Sequence, residues 1–147
     1  MNSYQRILCA TDFSEHCTSA AERAAELARL FGAELLLLHV VEYFPEQRSN
    51  EEIAPENVDP AAYREQQARA SLAALARRLG EEEVVQEVRF TTRSARHEIV
   101  RFAEQQEIDL IVVATHGRHG ITHILGATAN GVMHDAPCDV LAVRARG

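Results

Sequence analysis

The stretch Asp109-Leu-Ile-Val-Val-Ala-Thr-His-Gly-Arg-His-Gly120 decides the fold, because it joins an apolar run to a loop of small and basic residues. The apolar run has the length and composition of a buried β-strand. The loop after it holds Gly117 and Gly120, and Gly126 stands at the predicted start of a helix. Glycines let backbone N–H groups converge on a ligand, and a helix N-terminus adds further N–H donors. The pattern therefore predicts a phosphate-binding loop at the carboxyl end of a strand.

Basic side chains accompany these glycines. They are His116, Arg118, His119 and His123, and they would add cationic or proton-donating groups to the loop. The histidines also have the spacing of ligands on one helix face, which raises a metal site as an alternative. Because Gly117 and Gly120 favour a loop here, no metal site is predicted. A plain turn after a buried strand, without any ligand, is the other interpretation of the same glycines.

Length and composition set the class of protein. The 147 residues fit one domain, residues 1–147, and 46% of them are hydrophobic against 25% charged, as in a globular protein. No apolar run is long enough to insert into a membrane, and the start of the chain lacks a secretory pattern, so we expect a cytoplasmic protein. The net charge of −7, with scattered basic residues, argues against nucleic acid as a partner.

The cysteines are three in number and lack the paired spacing of a metal site. Cys9 and Cys138 lie in apolar runs and are predicted to be buried, inert thiols. Cys17 falls early in a predicted helix and is expected to be more exposed.

Strand and helix patterns alternate along the chain. The predicted strands cover 6–10, 34–41, 83–90, 109–114 and 138–143. The predicted helices cover 15–31, with an inward stripe that includes Leu30, 60–79, 95–106, and a last one from the glycine loop to about His134. Such alternation indicates an α/β fold, a parallel five-stranded sheet with helices on both faces. Ligands bind such sheets at the carboxyl ends of strands, where the strand order reverses.

Only two strand ends carry suitable chemistry, namely Thr11-Asp12 after the first strand and the glycine loop after the fourth. If these strands are neighbours, the order is 3-2-1-4-5 and both loops meet over one crevice. Asp12 would then accept hydrogen bonds from ribose hydroxyls, although it could equally stabilise the start of the next helix. Ala10, Val40 and Val41 could form an apolar slot for adenine, though core packing would explain them as well.

These residues resemble the universal stress protein family, specifically a single-domain bacterial member. The motifs that carry the resemblance are Ala10-Thr-Asp-Phe-Ser14, Leu37-Leu-His-Val40, Asp109 to Val113, and Gly117-Arg-His-Gly120 with Gly126. The resemblance implies a Rossmann-like fold of the adenine nucleotide alpha hydrolase type, with the 3-2-1-4-5 sheet. It also implies a homodimer through the last strand, Cys138 to Val143, and a role in the stress response. Many members bind ATP or AMP, while another branch binds no nucleotide.

The family's nucleotide-binding pattern is present here with departures. Ala114 replaces the first glycine, eight residues rather than nine separate Gly117 from Gly126, and Ala127 stands where serine or threonine is usual, with Thr128 after it. By resemblance Asp12 would hold the ribose, Val40 the adenine, and the glycine loop with Gly126 the phosphates. The full set of nucleotide-binding residues implied is Ala10, Thr11, Asp12, Val40, Ala114, His116, Gly117, Arg118, Gly120, Gly126, Ala127 and Thr128.

The expected function is that of a stress-response regulatory homodimer that binds ATP or AMP, with Mg²⁺ accompanying ATP. No general base or arginine finger is evident in the sequence, so at most slow ATP hydrolysis is expected rather than a true enzyme. The alternative is a nucleotide-free stress-response dimer that acts as a protein–protein interaction module with an unknown partner.

Overall fold

The computed structural model describes residues 3–43, 59–81, 83–116 and 126–144. The strands are β1 (Arg6–Ala10), β2 (Glu34–Glu42), β3 (Val85–Thr91), β4 (Leu110–Ala114) and β5 (Asp139–Val143). The helices are α1 (Glu15–Phe31), α2 (Pro60–Leu79), α3 (Ala95–Gln105) and α4 (Ala127–Asp135). These elements match the predicted ones in kind and order, and their ends differ from the prediction by two residues at most.

The strands form one parallel sheet in the order β3-β2-β1-β4-β5. β1 lies at the centre, with β2 on one side and β4 on the other. The chain moves outward to β3 in its first half and to β5 in its second half, so the order reverses between β1 and β4. This confirms the predicted α/β fold and its strand order.

The core has two layers, one on each face of the sheet. Leu35 and Leu37 of β2 pack with α1 and α2 residues, whereas Leu36 and Leu38 pack with α3 and α4 residues. All four leucines are at most 5% exposed, which is why β2 is an unbroken apolar run rather than an alternating one. A strand buried on both faces places its ends, not its faces, within reach of a ligand.

Local signals set the helix ends where the sequence predicts them. The side chains of Ser14, Asp59 and Ser94 each accept a hydrogen bond from a first-turn amide and cap α1, α2 and α3. Gly32 and Gly80 end α1 and α2 with φ of +65° and +72°, a left-handed conformation in which a side chain would be strained.

Two predictions about α1 are wrong. Its buried stripe runs from Cys17 to Ala28 in steps of three and four, and continuing it would reach Phe31 rather than Leu30, which is 75% exposed. Cys17, expected to be more exposed, is the first member of that stripe and is 6% exposed. Cys9 is fully buried as predicted, whereas Cys138 is only half-buried because it precedes an edge strand.

Within the described ranges, none of the helices combines the length and the apolar character needed to span a membrane.

Candidate functional site

A cavity of about 400 Å³ opens at the carboxyl ends of the strands, where the order reverses between β1 and β4. This is the position at which sheets of this kind bind ligands, and the volume lies in the range of small-molecule sites. Leu38, Ile99 and Val113 line its apolar side, and the ends of β1, β2 and β4 with the start of α4 surround them.

The cavity brings together every predicted site residue that the structure describes. These are Ala10, Thr11, Asp12, Val40, Ala114, His116, Gly126, Ala127 and Thr128. Gly117, Arg118 and Gly120 lie outside the described residues, as do His119 and His123.

Val41 belongs to the core, which is the second of the two interpretations that the sequence leaves open for it. Val40 lines the cavity, but Val41 points to the opposite face of the sheet and is 2% exposed in the layer beneath α1 and α2, because successive strand residues alternate. The same alternation places Leu38 beside Val40 in the cavity, a signal that could have identified Leu38.

Further lining residues were not predicted, namely Cys17, Leu38, Glu42, Ala95, Ile99, Val113, Thr115 and Ala129. Ala95 and Ile99 belong to α3, which packs on the sheet face that β1 and β4 share. Their place depends on the packing of distant elements, for which the sequence holds no local pattern.

The turn after β1 holds Asp12 at the edge of the cavity. The Thr11 hydroxyl oxygen accepts a hydrogen bond from the Phe13 amide at 3.0 Å, and the Asp12 carboxylate accepts one from the Ser14 amide at 2.9 Å. Phe13 has a φ of +66°, which is uncommon for a residue with a side chain. The Asp12 carboxylate therefore stabilises the backbone at the start of α1, which is one of the two roles considered for it.

The N-terminus of α4 forms another part of the cavity wall. Gly126 is the N-cap and offers no side-chain hydrogen bond, and the first turn of α4 holds no acidic residue. The first intrahelical bond runs from the Asn130 amide to the Gly126 carbonyl at 2.8 Å, so the amides of the three residues between them precede it. A helix start of this kind favours an anion.

His116 also lines the cavity and is 9% exposed. Its Nδ1 is 3.0 Å from the Thr115 hydroxyl, while Nε2 is buried and makes no hydrogen bond to the residues described. The ring of His16, from the first turn of α1, is 6.3 Å away between centroids. Leaving a buried polar atom unbonded costs about 1 to 3 kcal/mol, so Nε2 is suited to meet a polar ligand atom.

Metal ligation receives no support within the part of the chain that the structure describes, where no three histidine, cysteine or acidic side chains cluster suitably. The alternative built on His116, His119 and His123 involves two residues outside that part.

The chain matches the model of the universal stress protein family over residues 3–144. It is 39% identical over 141 residues to universal stress protein A homolog 1 of Coxiella burnetii, covering 95% of this chain and 96% of that protein. Its fold is similar to that of a universal stress protein solved in complex with cAMP, with a TM-score of 0.69 at 23% identity over 99% of this chain and 100% of that one. It is also similar to that of the Archaeoglobus fulgidus universal stress protein in complex with dAMP, with a TM-score of 0.65 at 20% identity over 96% and 98% of the two chains. The chain therefore belongs to the universal stress protein family.

Proposed function

We propose that this protein is a single-domain stress-response regulator that binds an adenine nucleotide, AMP or ATP, in the cavity at the ends of β1 and β4, and acts as a homodimer. The observation that carries the proposal is the chemistry of that cavity. Apolar side chains, the carboxylate of Asp12 and a helix N-terminus without a side-chain cap line the same cavity. A nucleoside phosphate carries the three matching groups, namely a flat apolar base, ribose hydroxyls and an anionic phosphate.

The base would lie against the apolar side. Val40 and Leu38 on β2, with Val113 on β4, offer a surface that suits a flat aromatic ring. The ribose would face Asp12, since a carboxylate offers about four acceptor sites and can bond the Ser14 amide and ribose hydroxyls together.

The phosphate would bind the start of α4. The amides of Ala127, Thr128 and Ala129 precede the first intrahelical bond, and no side chain caps them. His116 Nε2, buried and unbonded among the described residues, would donate to or accept from the same ligand. Ala114, which stands in the place of the family's first glycine, also lines the cavity.

The similar proteins solved with cAMP and dAMP are consistent with an adenine nucleotide. For this chain, AMP and ATP are both candidates, and Mg²⁺ would accompany ATP. We assign no enzymatic activity beyond slow ATP hydrolysis. A cytoplasmic location is proposed, in keeping with the free thiols of Cys9, Cys17 and Cys138.

The first test is to denature freshly purified protein, identify any released nucleotide by chromatography, and titrate the nucleotide-free protein with AMP and with ATP plus Mg²⁺ in a calorimeter. Release of an adenine nucleotide, or micromolar binding, supports the proposal. If no nucleotide is released and no heat is seen at millimolar ligand, the protein is a nucleotide-free interaction module instead.

A matched pair of variants tests where the phosphate binds. Ala127→Asp places a negative charge in the first turn of α4, where it favours the helix but repels a phosphate. We expect it to weaken nucleotide binding by about tenfold or more, as when a hydrogen bond to a charged group is lost, without lowering the melting temperature. Ala127→Asn, which has a similar shape and no charge, is the control. Equal affinity of the two variants would show that the phosphate binds elsewhere.

A further inference from the structure

His39 lies on β2 but bonds to the turn after β1. It is on the same sheet face as Leu35, Leu37 and Val41, beneath α1 and α2, and is half-buried. Its Nδ1 is 2.8 Å from the Thr11 carbonyl oxygen. A carbonyl oxygen can only accept, so Nδ1 carries the hydrogen and donates it. The partner thereby fixes which ring nitrogen is protonated.

Two groups of β2 bond to the backbone of Thr11, one at its amide and one at its carbonyl. The Thr11 amide donates to the Leu38 carbonyl at 2.9 Å, and the Thr11 carbonyl accepts from His39. Thr11 is the first residue beyond the paired register, which ends at Ala10 opposite Leu38. The side chain of His39 therefore holds the peptide between Thr11 and Asp12, at a position beyond the pairing of β1 with β2.

The same imidazole also contacts the residue after Asp12. The Phe13 and His39 rings lie 4.5 Å apart between centroids, with 33° between their planes. Phe13 is the residue with a left-handed φ of +66°, a conformation that the surrounding contacts must hold. His39 consequently contacts the residues on both sides of Asp12 in the chain.

We infer that His39 is a positioning residue for the nucleotide site, holding the Thr11–Phe13 turn so that the Asp12 carboxylate meets the ribose hydroxyls. This inference rests on the proposed function. His39 would not touch the nucleotide, because it lies on the opposite face of β2 from Leu38 and Val40, which line the cavity. Its effect is transmitted through the backbone of Thr11.

Two variants separate this role from simple packing. His39→Leu keeps most of the volume and removes the donor, whereas His39→Asn keeps a nitrogen donor near the position of Nδ1. His134→Leu, at an exposed histidine on α4, is the control for histidine loss away from the turn. Each protein is titrated with AMP and with dideoxy-AMP, which lacks both ribose hydroxyls.

We expect His39→Leu to weaken AMP binding by about tenfold, which is about 1.4 kcal/mol, and to leave dideoxy-AMP binding nearly unchanged. His39→Asn should recover most of the AMP affinity. Equal losses for the two ligands, or an Asn variant as weak as the Leu variant, would overturn the inference, because packing alone would then account for His39.

A measurement without ligand separates this inference from the proposed function. The Ser14 amide donates to Asp12, so its hydrogen exchange should be faster in His39→Leu than in the wild type or His134→Leu. Unchanged exchange at Ser14 would overturn the positioning role even if nucleotide binds. If the wild type binds neither AMP nor dideoxy-AMP, the proposed function is wrong, while faster Ser14 exchange would still show that His39 holds the turn.

Discussion

Cys17 packs in the core beneath α1 and also lines the cavity. Burial, as the largest cause, raises the pKa of its thiol to about 11, and the negative charge of Asp12 acts in the same direction. A thiol with this pKa is protonated at neutral pH and is a poor nucleophile. Cys17 therefore acts as an apolar side chain, and the cavity gains no reactive group from it.

Because the pKa of Cys17 is raised, the free energy of unfolding should decrease at alkaline pH. Its folded pKa of about 11 exceeds the ordinary value of 9.0, so its contribution is fully present below pH 9 and is lost as the pH rises toward 11. We expect the free energy of unfolding to fall over this window, by about 2 to 3 kcal/mol from Cys17 itself. Urea unfolding of the wild type and Cys17→Ala at pH 8 and pH 10.5 measures this contribution.

Other groups with raised pKa values act in the same pH range. Cys9 and Tyr4 are examples, so the informative quantity is the difference between the wild type and Cys17→Ala. Ser19→Ala, a neighbouring half-buried position without a titratable group, is the control and should follow the wild type. An identical loss of stability in Cys17→Ala and the wild type would show that Cys17 does not contribute.

At the scale of elements, α3 and α4 meet at a glycine. Gly131 is buried in α4, and a Cβ built there would clash with Arg96 Cδ. The Arg96 side chain, from the first turn of α3, crosses α4 at this point and pairs with Asp135 at 3.8 Å. Glycine at position 131 lowers the helix propensity of α4 by about 1 kcal/mol relative to alanine. Its lack of a side chain leaves room for Arg96 between the two helices.

These opposing effects give a prediction for Gly131→Ala. In the wild type we expect a change in stability near zero, because the gain in helix propensity is offset when Arg96 is displaced and loses an exposed ion pair. In an Arg96→Ala background the Cδ and Nη1 atoms are absent and the contact with Cβ at 3.2 Å is the one that stays. Gly131→Ala should then stabilise the protein by up to about 1 kcal/mol. Thermal unfolding of the four proteins in this cycle measures the coupling, and equal effects in both backgrounds would contradict it.

The elements themselves could be predicted because their signals are local. Ser14, Asp59 and Ser94 cap the helices that follow them, and the apolar length of β2 indicates a central strand. The hydrogen bond between His39 and Thr11 could not be predicted, because it joins neighbouring strands and depends on their register. The sequence likewise predicted Asp12 and the start of α4 as parts of the site but not Ala95 and Ile99. These two residues of α3 reach the cavity through the packing of α3 on the sheet.

At the scale of the whole molecule, β5 is an edge strand of the sheet. Among the residues that the structure describes it pairs with β4 alone, and its residues from Val140 to Val143 are half-buried. An edge strand of this kind can pair with another chain, and two copies related by a two-fold axis would present the same edge to each other. This is the surface through which the proposed homodimer would form.

The geometry of β5 identifies a variant that blocks only its outer side. The Val143 carbonyl accepts from the Thr115 amide at 3.0 Å, so Val143 directs its backbone groups toward β4 and the preceding Ala142 directs its own outward. Ala142→Pro therefore removes an outward N–H and keeps the bonds to β4, which an edge position tolerates. We expect it to convert the proposed dimer to a monomer in sedimentation velocity, while Ala142→Ser, which retains the N–H, should behave as the wild type.

The same variant tests whether the nucleotide site depends on the dimer. The lining of the cavity comes from β1, β2, β4, α1, α3, α4 and the loops between them, and β5 contributes none of it. A monomeric Ala142→Pro protein should therefore bind AMP with an affinity within about twofold of the wild type, a difference smaller than one lost hydrogen bond. A dimeric Ala142→Pro protein would place the interface elsewhere, and a monomer that no longer binds AMP would mean that the second subunit completes the site.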